Sequence, residues 1–334
     1  MGNIKDIPLV SSEIGGLWNS YMSDSMLVCV LKYFLNQVKD TETRDILQKT
    51  CDLSALHIQE LTNIFNEEKL PVPNGYTDSD VKVDAPCLFT DDFYLQYLAF
   101  ISRVSMHNYT LTLNHIARSD MRAFFAKRIY ESIDLYNISS DIRLTQGVFI
   151  RAPRVEVTKE VQYVKSQSFF LDWVGEKRPM IASEITYIFG GIFTNIVGRA
   201  LLTGFGQVSK EKKNSEYYFE GKTIATKQIS DLTSLLIDEG IPIPSSSDSY
   251  VNDSTVSPFS EKLMLNHSVL LSSSGISSLG MAISGSMRSD LNTLYMKYVA
   301  QDMKFSKDGV DILIDNGWLE QPPQAVKHEN LVWV

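Results

Sequence analysis

The second half of the chain repeats the first. Matching residues are 171 positions apart up to the loop in the middle of each half and 170 positions apart after it. Six collinear blocks carry the repeat over about 145 residues, which is too long a span for chance similarity. The blocks begin at Pro8 and Pro179, Ser12 and Ser183, Ile58 and Ile229, Leu70 and Ile241, Arg118 and Arg288, and Gly147 and Gly317. The sequence is a tandem duplication, so the fold must consist of two copies of one unit.

Each unit has the pattern of four long helices. In the first unit, apolar side chains recur at a spacing of about 3.6 residues, which is the period of an α-helix. The second helix covers about 41–69, where Pro71 stops it, and the fourth ends near Gly147. Glu13 lies at the start of the first helix, where the helix dipole stabilises a carboxylate. No stretch alternates with period two, so the pattern predicts an all-α fold.

The loop in the middle of each unit constrains how the helices connect. It has 17 residues in the first unit, 74–90, and 16 in the second, 245–260. A helix of ~27 residues is about 40 Å long, and 17 extended residues reach roughly 56 Å. The loop can therefore run the length of the bundle, which predicts the long crossover of a ferritin-like four-helix bundle. A loop that caps one end of the bundle is the alternative.

These elements divide the chain into three parts. Residues 1–153 form a first four-helix bundle, 179–334 form a second, and 154–178 connect them. The connecting segment carries apolar side chains at Val155, Val157, Val161, Val164, Phe169, Phe170, Leu171 and Trp173. A linker this apolar is expected to pack on one or both bundles.

Composition excludes several classes of function. The net charge is −9 and the isoelectric point is about 5.1, with no basic stripe that could bind phosphate backbones, so we expect no nucleic-acid partner. Cys29, Cys51 and Cys87 form no CxxC spacing and cannot all pair. This argues against a disulfide framework or structural zinc and favours a reducing, cytoplasmic location.

No segment has the pattern of a membrane span or a secretory signal. The first residues contain no apolar core, so no signal peptide is expected. Residues 185–198 are apolar but number 14, fewer than the ~20 that a helix needs to cross a bilayer. Residues 263–287 carry no charge, yet they contain eight serines, which suits a helix packed among other helices.

Several strings in the second unit are also typical of a known family. They are Glu184-Ile185, Gly204-Phe205-Gly206-Gln207-Val208, Ser254-Thr255-Val256-Ser257-Pro258-Phe259, Lys262-Leu263-Met264 and Gly317-Trp318. With these strings the chain resembles an uncharacterised family of Bacillus-type bacteria. The members are tandem ferritin-like four-helix bundles, distantly similar to spore coat proteins of the coat-F type. The resemblance implies the fold and a spore-forming host, and it implies no established activity.

A ferritin-like core raises the question of a metal site. Inward carboxylates and histidines on such helices bind iron or manganese, and the first unit offers Asp24, His57, Glu60 and His107 at similar heights. At the repeat-equivalent positions the second unit carries Asn195, Gln228, Asp231 and Ser277. Polar character is kept there while metal-ligand character is lost, which is typical of buried hydrogen-bonding positions. Hydrogen bonding is therefore the leading interpretation, and a metal ion in the first bundle is the alternative.

Three functional hypotheses follow. The first is a non-catalytic helical scaffold or interaction protein, associated with sporulation or the spore coat and with other spore proteins as partners. The second is a metal-binding or redox ferritin-like protein that uses the four residues of the first bundle. The third is a carrier of an apolar ligand, held in a groove among the many glycines and serines of the second unit. Tight helix packing is the leading interpretation of these small residues, and the groove is the alternative. No nucleophile elbow or phosphate-binding loop supports an enzyme.

Overall fold

A computed structural model describes residues 7–170, 177–243 and 250–326, and these ranges are all-helical apart from isolated backbone bridges. The long helices of the described chain are α1 (Ser11–Gln37), α2 (Thr41–Glu67), α3 (Asp91–Leu113), α4 (Ser119–Thr145), α5 (Ala182–Val208), α6 (Lys212–Asp238), α7 (Glu261–Gly285) and α8 (Ser289–Asp315). Four helices fall in each repeat. The all-α class and the tandem organisation are therefore confirmed.

The helix ends follow the local sequence signals. Gly147 and Gly317 follow α4 and α8 with φ of 73° and 67°, a left-handed conformation that glycine adopts without steric cost. The side chain of Asp40 accepts a hydrogen bond from the backbone N–H of Thr43 at the start of α2. The glycine that ends α4 lies where the sequence predicts it. The serines at the starts of α1 and α4 do not act as caps, because the cap positions are Val10 and Arg118, whose side chains make no cap hydrogen bond.

A buried glutamate joins three helix ends at one end of the first bundle. The carboxylate of Glu13 accepts hydrogen bonds from the backbone N–H groups of Val10 (2.8 Å), Ala117 (3.1 Å) and Arg118 (2.9 Å). The buried guanidinium of Arg118 donates to Asp120 (2.7 Å) and to Glu68 at the end of α2 (2.6 Å). The start of α1, the end of α2 and the start of α4 are thereby held together.

The second bundle repeats this network residue for residue. Glu184 accepts from the backbone N–H groups of Met287 and Arg288, both at 3.0 Å. The guanidinium of Arg288 then donates to Asp290 (2.8 Å) and to Glu239. Because charge-assisted hydrogen bonds of this kind have strict geometry, their recurrence explains why the Ser-Glu-Ile and Arg-Ser-Asp strings match between the repeats.

The middle loop crosses the full length of the first bundle. The end of α2 lies at the Glu13 end, since Glu68 bonds Arg118 there. At the opposite end, the carboxylate of Asp91, the first residue of α3, accepts from the backbone N–H groups of Lys39 and Asp40, both at 2.9 Å. The chain must therefore run from one end to the other between α2 and α3. The predicted crossover is confirmed and the capping-loop alternative is wrong.

The two crossovers pair with each other as antiparallel strands. Residues 80–90 face residues 250–260, with bridges between Val81 and Phe259 and between Phe89 and Val251. The backbone hydrogen bonds are Lys82 N to Pro258 O (2.7 Å), Asn252 N to Leu88 O (2.8 Å), Ser260 N to Asp80 O (2.9 Å) and Thr90 N to Tyr250 O (3.1 Å). Each bond has a repeat-equivalent counterpart, so a pseudo-two-fold axis relates the halves.

Side chains near this axis form one hydrophobic core that continues through both units. Tyr97 and His267 are repeat equivalents, and Tyr97 Oη lies 3.0 Å from His267 Nε2. The packing departs from symmetry at Tyr33, which contacts the ring of Phe259 at 5.3 Å between centroids and whose repeat equivalent is Gly204. A Cβ on Gly204 would lie 2.7 Å from the ring of Phe89.

The connecting segment contacts the second bundle at few points. Val155 packs against the core of α5–α8, and the ring of Phe169 lies 4.2 Å from the guanidinium carbon of Arg178. The remaining apolar side chains described in the segment are exposed, with Val161 at 88%. Leu171 and Trp173 lie outside the described residues. The boundaries 1–153, 154–178 and 179–334, and a linker packed along its length, stay predictions.

Of the described helices, α5 is long and apolar enough to cross a membrane by length and composition. Half of its most apolar window is buried inside the protein. A single helix of this kind is weak evidence for a membrane span, because the core helix of a soluble protein passes the same test of length and hydropathy.

The ring of Phe89 lies so close to Gly204 that an alanine there should make the protein less stable, whereas an alanine at an open glycine should not. Gly204→Ala should lower the free energy of unfolding by about 1–3 kcal/mol, because the new methyl group would overlap the ring of Phe89. Gly280→Ala, at an exposed position of α7 with open space around it, should raise it by roughly 0.5–1 kcal/mol. Urea denaturation of both variants measures the difference. Equal effects of the two substitutions would contradict the packing of the first crossover against α5.

Candidate functional site

Polar side chains meet at mid-height inside the first bundle. His57 on α2 lies between two carboxylates, with Nδ1 3.4 Å from Asp24 Oδ1 on α1 and Nε2 3.0 Å from Glu131 Oε2 on α4. Burial opposes protonation of His57, but the hydrogen bonds to the two carboxylates outweigh it and raise the pKa of the imidazole. A protonated His57 between two carboxylates is a chain of ion pairs.

The four metal-ligand candidates do not converge. Asp24 and His57 are in contact, whereas Glu60 pairs with Lys127 (3.0 Å) and Arg128 (3.2 Å). His107 contacts the other half of the protein, with Nε2 3.1 Å from Ser277 Oγ. In the described part of the chain, no three His, Cys, Asp or Glu side chains group in a way that could hold a metal ion. Iron or manganese binding by these residues stays a prediction.

Glu131 is the member of this polar chain that the spacing argument missed. It lies on α4 one turn from Arg128, whose guanidinium is fully buried and lies 3.9 Å from the ring centroid of Phe124. Two carboxylates on opposite nitrogens of one imidazole cannot both coordinate an ion that the imidazole binds. The arrangement therefore suits a hydrogen-bonded core better than a ligand set.

The second bundle has an equivalent polar chain in which amide side chains replace Asp24 and His57. Asn195 Nδ2 donates to Gln228 Oε1 (3.1 Å), and Gln228 Nε2 donates to Asp302 Oδ1 (2.9 Å). Asn195 and Gln228 are the repeat equivalents of Asp24 and His57. Burial raises the pKa of Asp302 to about 6, and the hydrogen bond from Gln228 offsets only part of that effect. Asp302 is thus close to neutral under mildly acidic conditions.

Next to this polar chain, the second bundle contains a cavity of about 280 Å³. The corresponding space in the first bundle is about 30 Å³. The difference follows from the side chains, since Leu27 and Tyr109 line the small space and their equivalents are Gly198 and Leu279. No atom lies within 4 Å of the position that a Cβ on Gly198 would take. The cavity is therefore a consequence of lost side-chain volume in the second repeat.

Most of the cavity wall is made of apolar and small side chains from α5, α6, α7 and α8. They include Gly190, Gly191, Leu202, Ile224, Leu232, Gly275, Leu279 and Phe305. Asp302 is the acidic residue of the wall, and Arg103 is the basic one. Arg103 belongs to α3, so the first half of the protein contributes to a cavity in the second. A cavity thus lies among the glycines and serines of the second unit, where the sequence favoured tight helix packing over a groove.

Two stretches of the chain, 1–161 and 168–331, match the family described as Protein of unknown function (DUF3231). The chain belongs to the DUF3231 family. It contains two copies of the DUF3231 unit, and these coincide with the two structural repeats. The resemblance to a tandem-repeat family of that kind is therefore confirmed.

More distant comparisons add little to the family assignment. No curated protein matches this DUF3231 chain. Among solved structures, it is similar to a putative spore coat protein from Bacillus halodurans, with 15% sequence identity and a TM-score of 0.42. The match covers 46% of this chain and 100% of that chain. A likeness this distant does not transfer a function.

The raised pKa of Asp302 predicts a pH-dependent effect of removing its charge. Above pH 6 the ionised carboxylate is buried at a cost, so Asp302→Asn should raise the free energy of unfolding by on the order of 2 kcal/mol. This gain should shrink as the pH falls from 6 to 4, where the carboxyl is protonated in the folded state. Urea denaturation at pH 8, 6 and 4.5 measures it, with the exposed Asp141→Asn as control. A gain independent of pH would contradict the assignment.

Proposed function

We propose that this protein is a non-catalytic binding protein whose second bundle holds a small, mainly apolar ligand. The cavity of about 280 Å³ carries this proposal. It is nearly twice the volume of engineered apolar cavities of ~150 Å³ that bind benzene. Well-packed bundles rarely leave such a space, because each unfilled volume weakens the core.

The contrast between the repeats supports binding over loose packing. The first bundle fills the same region with Leu27 and Tyr109, so the fold itself does not require a cavity. In the second bundle the polar groups are already bonded to one another, through Asn195, Gln228 and Asp302. An apolar wall with a few placed polar groups is the usual composition of a small-molecule site. The cavity would bind its ligand without catalysing a reaction.

Filling the cavity should abolish binding. We expect octan-1-ol, a neutral linear probe, to bind the wild-type protein in isothermal titration calorimetry, with a negative heat-capacity change from apolar burial. Gly198→Leu restores the leucine of the first repeat and should remove binding while the protein stays folded. Gly280→Leu adds the same side chain outside the cavity and should leave binding unchanged. No binding of octan-1-ol by the wild-type protein, or binding that survives Gly198→Leu, would contradict the proposal.

We also propose that the protein acts in a spore-forming bacterium as a scaffold or interaction protein of the spore or its coat. The sequence strings that resemble a Bacillus-type family support this role, and its partners would be other spore proteins. The cytoplasm of the sporulating cell is the matching location. Ligand binding and a scaffold role are compatible, because the cavity lies inside the second bundle. The outer faces of the helices do not line the cavity and can contact partner proteins.

Fractionation of sporulating cells tests the spore association. Immunoblots of the host through a sporulation time course should detect the protein late, and purified spores should release it when their coats are extracted with detergent and reductant. Vegetative lysate provides the control fraction. Equal amounts in growing and sporulating cells, with none in purified spores, would contradict the association.

A further inference from the structure

Two arginines from the first half of the protein converge on one aromatic ring beside the cavity. The guanidinium carbon of Arg103 on α3 lies 4.6 Å from the ring centroid of Phe193 on α5, and that of Arg143 on α4 lies 5.7 Å from it. A cation near an aromatic ring is attracted by the ring quadrupole, but this attraction does not neutralise the charge. The pair therefore places two positive charges at the boundary between the bundles.

Neither guanidinium meets a carboxylate among the residues that the structure describes. Arg143 is 2% exposed, its Nη2 has no hydrogen-bond partner, and burial lowers the pKa of both arginines. Other buried arginines of this chain are paired, namely Arg118 with Asp120, Arg128 with Glu60 and Arg288 with Asp290. A buried charge without a counter-charge is costly, so the unpaired cations indicate a site for an anion.

The bundle fold does not require these two arginines. Their repeat equivalents in the second half are Ser273, which is exposed, and Leu313, which is part of the core. The two arginines are thus present only in the first half, which faces the cavity of the second half. Helix-end hydrogen bonding explains the network of Glu13 and Arg118 in both halves, but it does not explain why one half has arginines that meet no carboxylate of the described residues.

Arg103 connects this positive charge to the cavity. Its side chain is part of the cavity wall, and Nη2 lies 3.8 Å from the position that a Cβ on Gly190 would take. The guanidinium therefore lies against α5 at Gly190, at the cavity wall. Asp302 is the acid of the same wall, where its Oδ1 accepts a hydrogen bond from Gln228 Nε2 at 2.9 Å.

We propose that the ligand of the second bundle is a linear aliphatic carboxylic acid of medium chain length. Its carboxylate binds the guanidinium of Arg103, and its hydrocarbon chain fills the space next to Gly198. The guanidinium offers parallel N–H donors that match the two carboxylate oxygens, and Arg143 adds a second positive charge behind Phe193. This inference rests on the proposed function, because it names the chemical class of ligand that the same cavity takes.

Calorimetry with a matched pair of probes tests the ligand class. Octanoate and octan-1-ol have the same chain length and differ in the head group, so their affinity ratio isolates the contribution of the negative charge. At pH 7.5 the wild-type protein should bind octanoate at least ~10-fold more tightly than octan-1-ol. This ratio corresponds to the free energy that one charge-assisted hydrogen bond contributes to binding. This comparison needs no variant. Equal affinities, with octan-1-ol bound, would overturn the inference and leave the proposed function intact.

Variants then test the assignment to Arg103. Arg103→Met should remove the preference for octanoate and keep the affinity for octan-1-ol, which also shows that the variant is folded. Arg103→Lys retains the charge and should keep part of the preference. The control Arg151→Met removes an exposed arginine and should change neither affinity. A preference for octanoate that persists in Arg103→Met would overturn the assignment. If neither probe binds the wild-type protein, the proposed function itself fails.

Discussion

The antiparallel pairing of the two crossovers determines how the halves of this protein are arranged. Segments that connect α2 to α3 and α6 to α7 hydrogen-bond to each other through residues 80–90 and 250–260. A crossover on a bundle surface exposes backbone N–H and C=O groups, and each crossover supplies the partners for the other. Because the pairing fixes the bundles around a pseudo-two-fold axis, α3 of the first half comes to lie against α5 and α7 of the second.

The duplicated halves have diverged in their interiors while their ends remained the same. Glu13 and Glu184 make matching hydrogen bonds at the bundle ends, where three helix termini must be satisfied at once. At mid-height the constraint is weaker, since any set of mutually bonded polar groups suffices. One copy fills its centre with the Asp24–His57–Glu131 chain and bulky neighbours, and the other has the Asn195–Gln228–Asp302 chain and a cavity.

The sequence predicted those properties that depend on local spacing. Helix number, helix ends and the crossover follow from apolar periodicity, proline and glycine signals and loop length, all of which act within about 30 residues. The glycines and serines of the second unit left tight helix packing and a groove both open, because small side chains are compatible with either, and the structure has a cavity there. The position of His107 against the other half could not be predicted, since it depends on how two bundles dock.

The candidate site was also harder to predict, because its residues come from helices that are brought together only when the two bundles dock. Arg103 is separated by some 90 residues from the glycines that it faces, and nothing in its own neighbourhood distinguishes it from a surface arginine. Glu131 was likewise missed, since α4 contributes it to a chain whose other members come from α1 and α2. Contacts between distant helices depend on docking, which sequence periodicity does not specify.

The exchange of Tyr33 for Gly204 has a consequence for the origin and the assembly of this protein. At equivalent points of the central contact, one half contributes a ring and the other has no room even for a methyl group. Two copies of the first half would bring a second ring to this contact, and two copies of the second half would leave a gap in it. At this point the central contact depends on the difference between the halves, since the ring of Tyr33 has no counterpart at Gly204.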